Sequence, residues 1–241
     1  MSIGCYAFVS PDYRELGYPL DLWLRHHLRV MDEVALVTYG AVYLPIGGHP
    51  KLRTAPVDPP SAGTNEFYLK GKSMAQDLLS TEWKILLDCD EFLFRPYTGN
   101  LDPSLAYGLR YHNFYGSLEY TIVAEKGVPP VQYRVHKGYR QIIGDGGNVA
   151  PPFDTSKTFD VWHTNMCRDP AALSAKWKTQ IEREIRMGYT ADADRLPLLD
   201  GVFDYSRYAD AFPGAEMHRV NLYSLPDILL QNRERFSWWK P

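Results

Sequence analysis

The 241-residue sequence is poor in features that mark secreted or membrane proteins. Its three cysteines, Cys5, Cys89 and Cys167, are an odd number without the spacing of a disulfide framework, so we expect free thiols in a reducing compartment. No apolar run approaches the roughly 18 residues that a membrane span needs, and no basic segment precedes an apolar stretch at the N-terminus. These absences predict no signal peptide, no membrane span and a cytoplasmic location.

The chain also lacks a charge excess, internal repeats and low-complexity tracts. Its formal net charge is −3, so nothing in its overall charge indicates nucleic acid as a partner. Hydrophobic residues make up 45% and charged residues 23%, which is ordinary for a soluble globular protein. The length allows one α/β domain, residues 1–241, with a substantial core.

The first half of the sequence alternates between strand and helix patterns. A β-branched and apolar strand pattern covers 3–9 and again 34–38, amphipathic helix patterns cover 21–30 and 65–80, and a third strand begins at Trp83. This β-α-β-α-β order predicts an α/β fold with a mostly parallel central sheet and helices on both faces. The proline- and glycine-rich stretch 45–63 is predicted to be a long loop.

In the second half the pattern is looser. It predicts strands over 110–117, 120–124, 139–143 and 158–163, and an amphipathic helix over 171–187.

The strand at Trp83 ends abruptly in carboxylates. The apolar residues 85–87 are followed by Asp88, Cys89, Asp90 and Glu91. Because side chains alternate along a strand, Asp88 and Asp90 should project to the same side. Two neighbouring carboxylates repel unless a cation neutralises them, and a divalent cation bridging to phosphate oxygens is a common solution. The structural alternative is an acidic turn whose side chains cap a helix or lie on the surface.

The ordered set of motifs resembles the GT-A-fold glycosyltransferases, in the family-2-like branch whose metal strand ends in Asp-x-Asp-Glu-Phe. Three segments carry the resemblance: 22–27 (LWLRHH), 72–92 (from KSMA to the acidic motif) and 161–176 (from Val-Trp-His to Lys176). Together they span about 3–187 in the order typical of these enzymes. Two departures concern the nucleotide contacts: SPDYR at 10–14 replaces an Asn-Glu pair, and TYG at 38–40 replaces a polar or acidic cluster.

The resemblance implies a GT-A-like (Rossmann-like) fold and a metal-dependent transferase. In such an enzyme Asp90 binds the metal, Asp88 reaches the metal or the donor ribose, and His163 is a third metal ligand. Two carboxylates and an imidazole suit Mn²⁺ and tolerate Mg²⁺. Residues 1–94 would bind the metal and a nucleotide-sugar, a UDP-sugar being favoured, and residues 95–241, with C-terminal helices, would bind the acceptor.

Further residues are candidates for the donor and for proton transfer. Asp12, Arg14, Lys72 and Arg168 are predicted donor contacts, the cations because Lys and Arg form charge-assisted bonds with phosphate. Each of the cations could equally be a solvated surface charge. An inverting transfer needs a general base to take the proton from the acceptor hydroxyl, and Glu119 or Asp145 could supply it, whereas a retaining mechanism does not require either.

Several alternatives remain open at this level. The acceptor could be a glycan, a lipid-linked sugar or a modified DNA base, and the aromatic and basic tail 233–240 could contact a membrane surface, contact an acceptor or simply dock. An Asp-x-Asp phosphotransferase or phosphohydrolase is a competing reading, although Phe92 stands where that family needs a hydroxyl. A non-catalytic nucleotide- or carbohydrate-binding module is the third hypothesis for the function.

Overall fold

The computed structural model describes residues 1–40, 42–57, 71, 73–94, 100–123, 131–136, 153–186, 198–199, 202–206 and 216–239. Up to residue 94, the elements are β1 (Ile3–Val9), α1 (Leu20–Val30), β2 (Glu33–Tyr39), β3 (Leu52–Val57), β4 (Trp83–Leu86) and β5 (Glu91–Leu93). The later ranges contain β6 (Ala106–Tyr115), β7 (Ser117–Val123), β8 (Val131–His136), β9 (Phe153–Met166), α2 (Pro170–Arg186), β10 (Leu198–Leu199), β11 (Val202–Phe203), β12 (Glu216–Arg219) and α3 (Asp227–Gln231).

Among the described residues, ten strands form one sheet, and β10 pairs with β11 in a separate hairpin. The strands β4, β1, β2 and β3 lie side by side and are all parallel. Beyond β4 the sheet continues through β8, β6, β7 and β12 with antiparallel pairing, while β9 runs parallel to β6 and antiparallel to β5. The predicted α/β class with a parallel central sheet is confirmed, and the antiparallel strands extend it.

Helical segments cover both faces of the parallel strands. Alternate residues of β1 point to opposite sides: Cys5 joins the core cluster that contains Trp23 of α1, whereas Tyr6 joins the cluster that contains Ala75. Ala75 belongs to the helical segment 73–77, which is the described part of the predicted helix 65–80. A strand buried on both faces reads as a continuous apolar run, which is why β1 and β2 were recognisable.

Helix α1 packs through a broad face that includes two histidines. His27 Nδ1 lies 2.9 Å from the carbonyl oxygen of Trp23, and His26 Nε2 lies 2.5 Å from that of Leu93. Burial lowers the pKa of both imidazoles, so they are neutral at physiological pH. Both histidines therefore belong to the helix packing.

The prediction of a continuous loop over 45–63 was wrong, because β3 lies inside it. In the part of the chain that the structure describes, β3 pairs only with β2 and forms the edge of the sheet, where Pro56 is tolerated because no second described strand needs its missing N–H. The predicted strands at 110–117, 120–124 and 158–163 correspond to β6, β7 and β9, and the helix at 171–187 to α2. The strand predicted at 139–143 lies outside the described residues, and β5 and β8 were not predicted.

The tail docks on the sheet. Gly116 has a φ of +66°, and its carbonyl oxygen accepts bonds from the backbone N–H groups of Trp238 (2.9 Å) and Trp239 (3.0 Å). The Trp239 ring then packs against Tyr115 and Tyr205. In the described ranges, no helix combines the length and the apolar character needed to cross a membrane.

Candidate functional site

A cleft of about 410 Å³ opens where the parallel strands β1, β2 and β4 end. Its walls come from the end of β1 and part of the segment that follows it, from Tyr39 at the end of β2, from the acidic turn after β4, and from β9 and α2. The carboxyl edge of a parallel sheet is the usual ligand-binding edge in α/β proteins.

The two aspartates lie in the turn between β4 and β5 rather than within the strand. The Glu91 N–H donates to the Asp88 carbonyl oxygen at 3.0 Å, and the Asp88 N–H donates to the Glu91 carboxylate at 2.8 Å. Glu91 thereby closes the turn and has a structural role. Asp88 and Asp90 both reach the cleft, but Asp88 is exposed whereas Asp90 is 1% exposed.

Three cationic or basic side chains surround the buried Asp90. The Arg168 guanidinium forms a hydrogen-bonded ion pair with Asp90 Oδ2, Lys176 Nζ lies 3.5 Å from the same oxygen, and His163 Nε2 lies 3.7 Å from it. Burial alone would raise the pKa of Asp90, but Lys176, His163 and Arg168 together hold the pKa of this carboxyl well below its ordinary value. Asp90 is therefore ionised throughout the physiological range.

His163 is oriented by a neighbour on the adjacent strand. His163 of β9 pairs with Glu91 of β5 in the sheet, and the Nδ1 atom of His163 lies 2.9 Å from Asn113 Oδ1 on β6. Because an amide oxygen only accepts, Nδ1 donates to Asn113 in this arrangement, and the other ring nitrogen, Nε2, faces Asp90. An outer partner that fixes the tautomer in this way is typical of metal-binding histidines.

The predicted metal ligands are donors of the type that a divalent cation takes, and all three line the cleft. Asp88, Asp90 and His163 line one cleft, and two carboxylates with an imidazole are suitable donors for Mn²⁺ or Mg²⁺. Within the described ranges, however, no three His, Cys, Asp or Glu side chains are grouped closely enough to hold a metal ion. Arg168 and Lys176 neutralise Asp90 in this arrangement.

The sequence reasoning assigned no role in the site to Lys176. Lys176, Thr179 and Gln180 of α2 all line the cleft, and their spacing of three and four residues places them on one helical face. Lys176 is 18% exposed and its ammonium bonds Asn165. Burial and the nearby Arg168 lower the pKa of Lys176 to about 8, against the opposing effect of Asp90. The signal that could have revealed this residue is the polar face at 176, 179 and 180 in an otherwise amphipathic helix.

The remaining predicted residues are distributed differently. Asp12 lines the cleft and accepts a hydrogen bond from Ser10, but Glu119 lies in β7 and is not among the residues that line the cleft. Lys72 and Asp145 lie outside the described residues. Arg14 is not part of the cleft wall and contributes instead to a second cavity.

Arg168 is the one predicted donor contact that lies between the two cavities. It bonds Asp90, which lines the cleft, and is itself part of the second cavity's wall. Because Asp90 and the Leu16 carbonyl occupy its two terminal nitrogens, these atoms of Arg168 are not open contacts for the donor diphosphate.

Comparison with known proteins finds no matching family model and no matching curated protein. Solved structures that it resembles include the galactosyltransferase LgtC in complex with donor and acceptor sugar analogs (11% identity, 44% of this chain, 46% of that chain, TM-score 0.29). Another is the glycosyltransferase GlyE of Streptococcus pneumoniae (10% identity, 46% of this chain, 30% of that chain, TM-score 0.29). A third is TarS of S. aureus (12% identity, 57% of this chain, 28% of that chain, TM-score 0.35). The matched part spans less than half of each of these chains, and TM-scores this low carry no argument about fold or function.

Proposed function

We propose that this chain is a GT-A-type, metal-dependent glycosyltransferase that moves a sugar from a nucleotide-sugar to a hydroxyl acceptor. One observation carries the proposal: Asp88, Asp90, His163 and Lys176 converge on a single cleft at the carboxyl edge of the parallel strands. The motif resemblance in the sequence supplies the reaction class. A UDP-sugar is the favoured donor, and a glycan or lipid-linked sugar is favoured over DNA as the acceptor.

The cleft offers complementary surfaces to the two ends of such a donor. The rings of Phe8 and Tyr39 stack at 5.6 Å with 12° between their planes, and both line the cleft where β1 and β2 end. An aromatic wall suits a nucleotide base. The Lys176 ammonium lies beside Asp90 in the same cleft and suits the donor diphosphate.

In the proposed transfer, the acceptor oxygen attacks the anomeric carbon and the bond from that carbon to the diphosphate oxygen breaks. The diphosphate leaves with the bonding electron pair, and the acceptor proton passes to a general base. A divalent cation held by Asp88, Asp90 and His163 would offset the negative charge on the leaving diphosphate. Asn113 keeps Nε2 of His163 directed at Asp90, and Arg168 holds the Asp90 carboxylate in place. Of the two predicted bases, Glu119 is not among the residues that line the cleft, and Asp145, which lies outside the described residues, stays a prediction.

The first test is a thermal-shift screen of UDP-, GDP-, CMP- and dTDP-sugars, each with and without Mn²⁺. A ligand that binds only the folded protein raises its unfolding temperature, so one nucleotide family should do so and should require the metal. Asp88→Asn should remove the shift. Asp227→Asn is the matched control, because Asp227 is an exposed aspartate that pairs with Arg29 outside the cleft.

Two outcomes contradict the proposal. Absence of a shift with every nucleotide, with or without Mn²⁺, would favour the non-catalytic or phosphotransfer readings. A metal-dependent shift without any slow hydrolysis of the nucleotide-sugar, and without transfer to any acceptor, would indicate a binding module that does not turn over.

A further inference from the structure

A second cavity, of about 470 Å³, lies next to the donor cleft and shares Tyr13 and Tyr18 with it. Its other walls include Arg14, Arg168, Arg235 and Trp238. The volume is within the usual range for small-molecule sites and is sufficient for a sugar of one or two rings. Nothing in the proposed transfer uses this cavity.

The charges in the second cavity are only partly paired. Arg235 donates to both carboxylate oxygens of Asp21, at 2.8 and 3.0 Å, and Asp169 accepts the Ala171 N–H of α2 at 2.8 Å. Arg14 is exposed, its Nε donates to the Tyr13 hydroxyl at 3.0 Å, and its guanidinium lies 5.3 Å from the Tyr43 ring centroid. Among the residues that the structure describes, no carboxylate pairs with Arg14.

Arg168 adds a second donor that is not in use. The residue is 2% exposed, its Nη1 and Nη2 bond the Leu16 carbonyl and Asp90, and its guanidinium lies 3.8 Å from the Tyr18 ring centroid. Its Nε has no hydrogen-bond partner in the described part of the chain. A buried donor without a partner is costly, and an acceptor atom from a ligand in the cavity would satisfy it.

Trp238 supplies an aromatic surface in the same cavity. It is 45% exposed, and its Nε1 donates to the Arg235 carbonyl oxygen at 3.1 Å, which fixes the ring. An indole that is held at its polar atom and open on its ring suits packing against the apolar face of a sugar.

We propose that the second cavity is a binding site for an acidic saccharide, a sugar that carries a carboxylate or a phosphate group. The anionic group pairs with Arg14 and with Nε of Arg168, and the sugar ring packs on Trp238. Arginine suits this role because its planar donors match both carboxylate and phosphate. The site is distinct from the donor cleft, so the saccharide and a nucleotide bind together.

The test is ligand-observed NMR titration of the full chain with glucuronic acid, glucose 6-phosphate, glucose and inorganic phosphate. At least one acidic sugar should bind about tenfold more tightly than glucose and than inorganic phosphate, a difference that one charge-assisted contact supplies. The two acidic sugars distinguish a carboxylate ligand from a phosphate ligand. Arg14→Gln and Trp238→Ala should each weaken binding about tenfold, and saturating UDP with Mn²⁺ should leave it unchanged.

The matched control is Arg25→Gln, since Arg25 is an exposed arginine of α1 outside the cavity wall. This variant should bind the acidic sugar as tightly as the unchanged chain does. Equal binding of glucose and the acidic sugars, or full binding by Arg14→Gln, would overturn the proposal. Inorganic phosphate binding as tightly as glucose 6-phosphate would overturn the saccharide part, and competition by UDP would show that the sugar occupies the donor cleft. None of these results depends on whether the chain transfers sugar.

Discussion

The donor cleft and the second cavity meet at Arg168 but differ in how their charged side chains are paired. In the cleft, the buried Asp90 is surrounded by Arg168, Lys176 and His163. In the second cavity, Arg14 is exposed and no described carboxylate pairs with it. A buried charge must have its partners within the fold, whereas an exposed one is solvated by water until a ligand replaces that water. The comparison indicates that Asp90 is paired within the fold, whereas Arg14 faces solvent and is paired with no carboxylate of the described residues.

The largest expected effect comes from removing the buried charge of Asp90. Asp90→Asn should lower the free energy of unfolding by about 3–5 kcal/mol, because it leaves the buried Arg168 without its counter-ion. Urea denaturation monitored by circular dichroism measures this loss. A loss below about 1 kcal/mol would show that Arg168 finds another partner and that Asp90 serves chemistry alone.

The exposed carboxylate of the same turn should behave differently. Asp88→Asn should reduce transferase activity by at least about 100-fold, equivalent to about 2.7 kcal/mol of transition-state stabilisation, because the cation loses a ligand. Its free energy of unfolding should change by no more than about 0.5 kcal/mol, since Asp88 lies on the surface. Parallel activity and denaturation measurements separate the two aspartates, and equal stability losses would refute the distinction.

A smaller effect is expected at the ion pair beside Trp238. Arg235→Gln should cost about 0.2–1 kcal/mol at neutral pH, as exposed ion pairs do. Partial burial opposes ionisation of Asp21, but the bonds from Arg235 lower the pKa of Asp21 below 3.8. The contribution of the pair is therefore complete above that pH and is lost as the pH falls below it. The unchanged chain and Arg235→Gln should converge in stability on acidification, and a constant difference down to pH 2 would contradict the assignment.

The smallest expected effect on stability comes from replacing the exposed Arg14. Arg14→Gln should leave the unfolding free energy within about 0.5 kcal/mol of the unchanged chain, because Arg14 is exposed. It should also leave the nucleotide-induced thermal shift unchanged, because Arg14 is not in the wall of the donor cleft. A lost nucleotide shift would return Arg14 to the donor diphosphate, the role that the sequence first indicated.

The sequence predicted the elements whose burial is regular. β1, β2 and β4 are apolar runs and α1 and α2 are amphipathic, so each was recognisable from its own residues. The edge strand β3 was missed because its exposed side chains and Pro56 resemble a loop. In the site, Asp12, Asp88, Asp90 and His163 all line one cleft, and all but His163 follow parallel strands, while the roles assigned to them stay predictions.

What the sequence by itself determined is the order of the elements and the acidic segment that follows β4, because both depend on residues close together in the chain. What only the tertiary structure decided is how the charges are paired. Asp90 and Arg168 are 78 positions apart and both buried, and no local pattern distinguishes that pairing from a separate phosphate contact for Arg168. Arg14, four residues after Ser10 of the cleft, belongs to another cavity because the chain turns after β1. Side-chain direction in a turn depends on what packs around it, and that is a property of the whole fold.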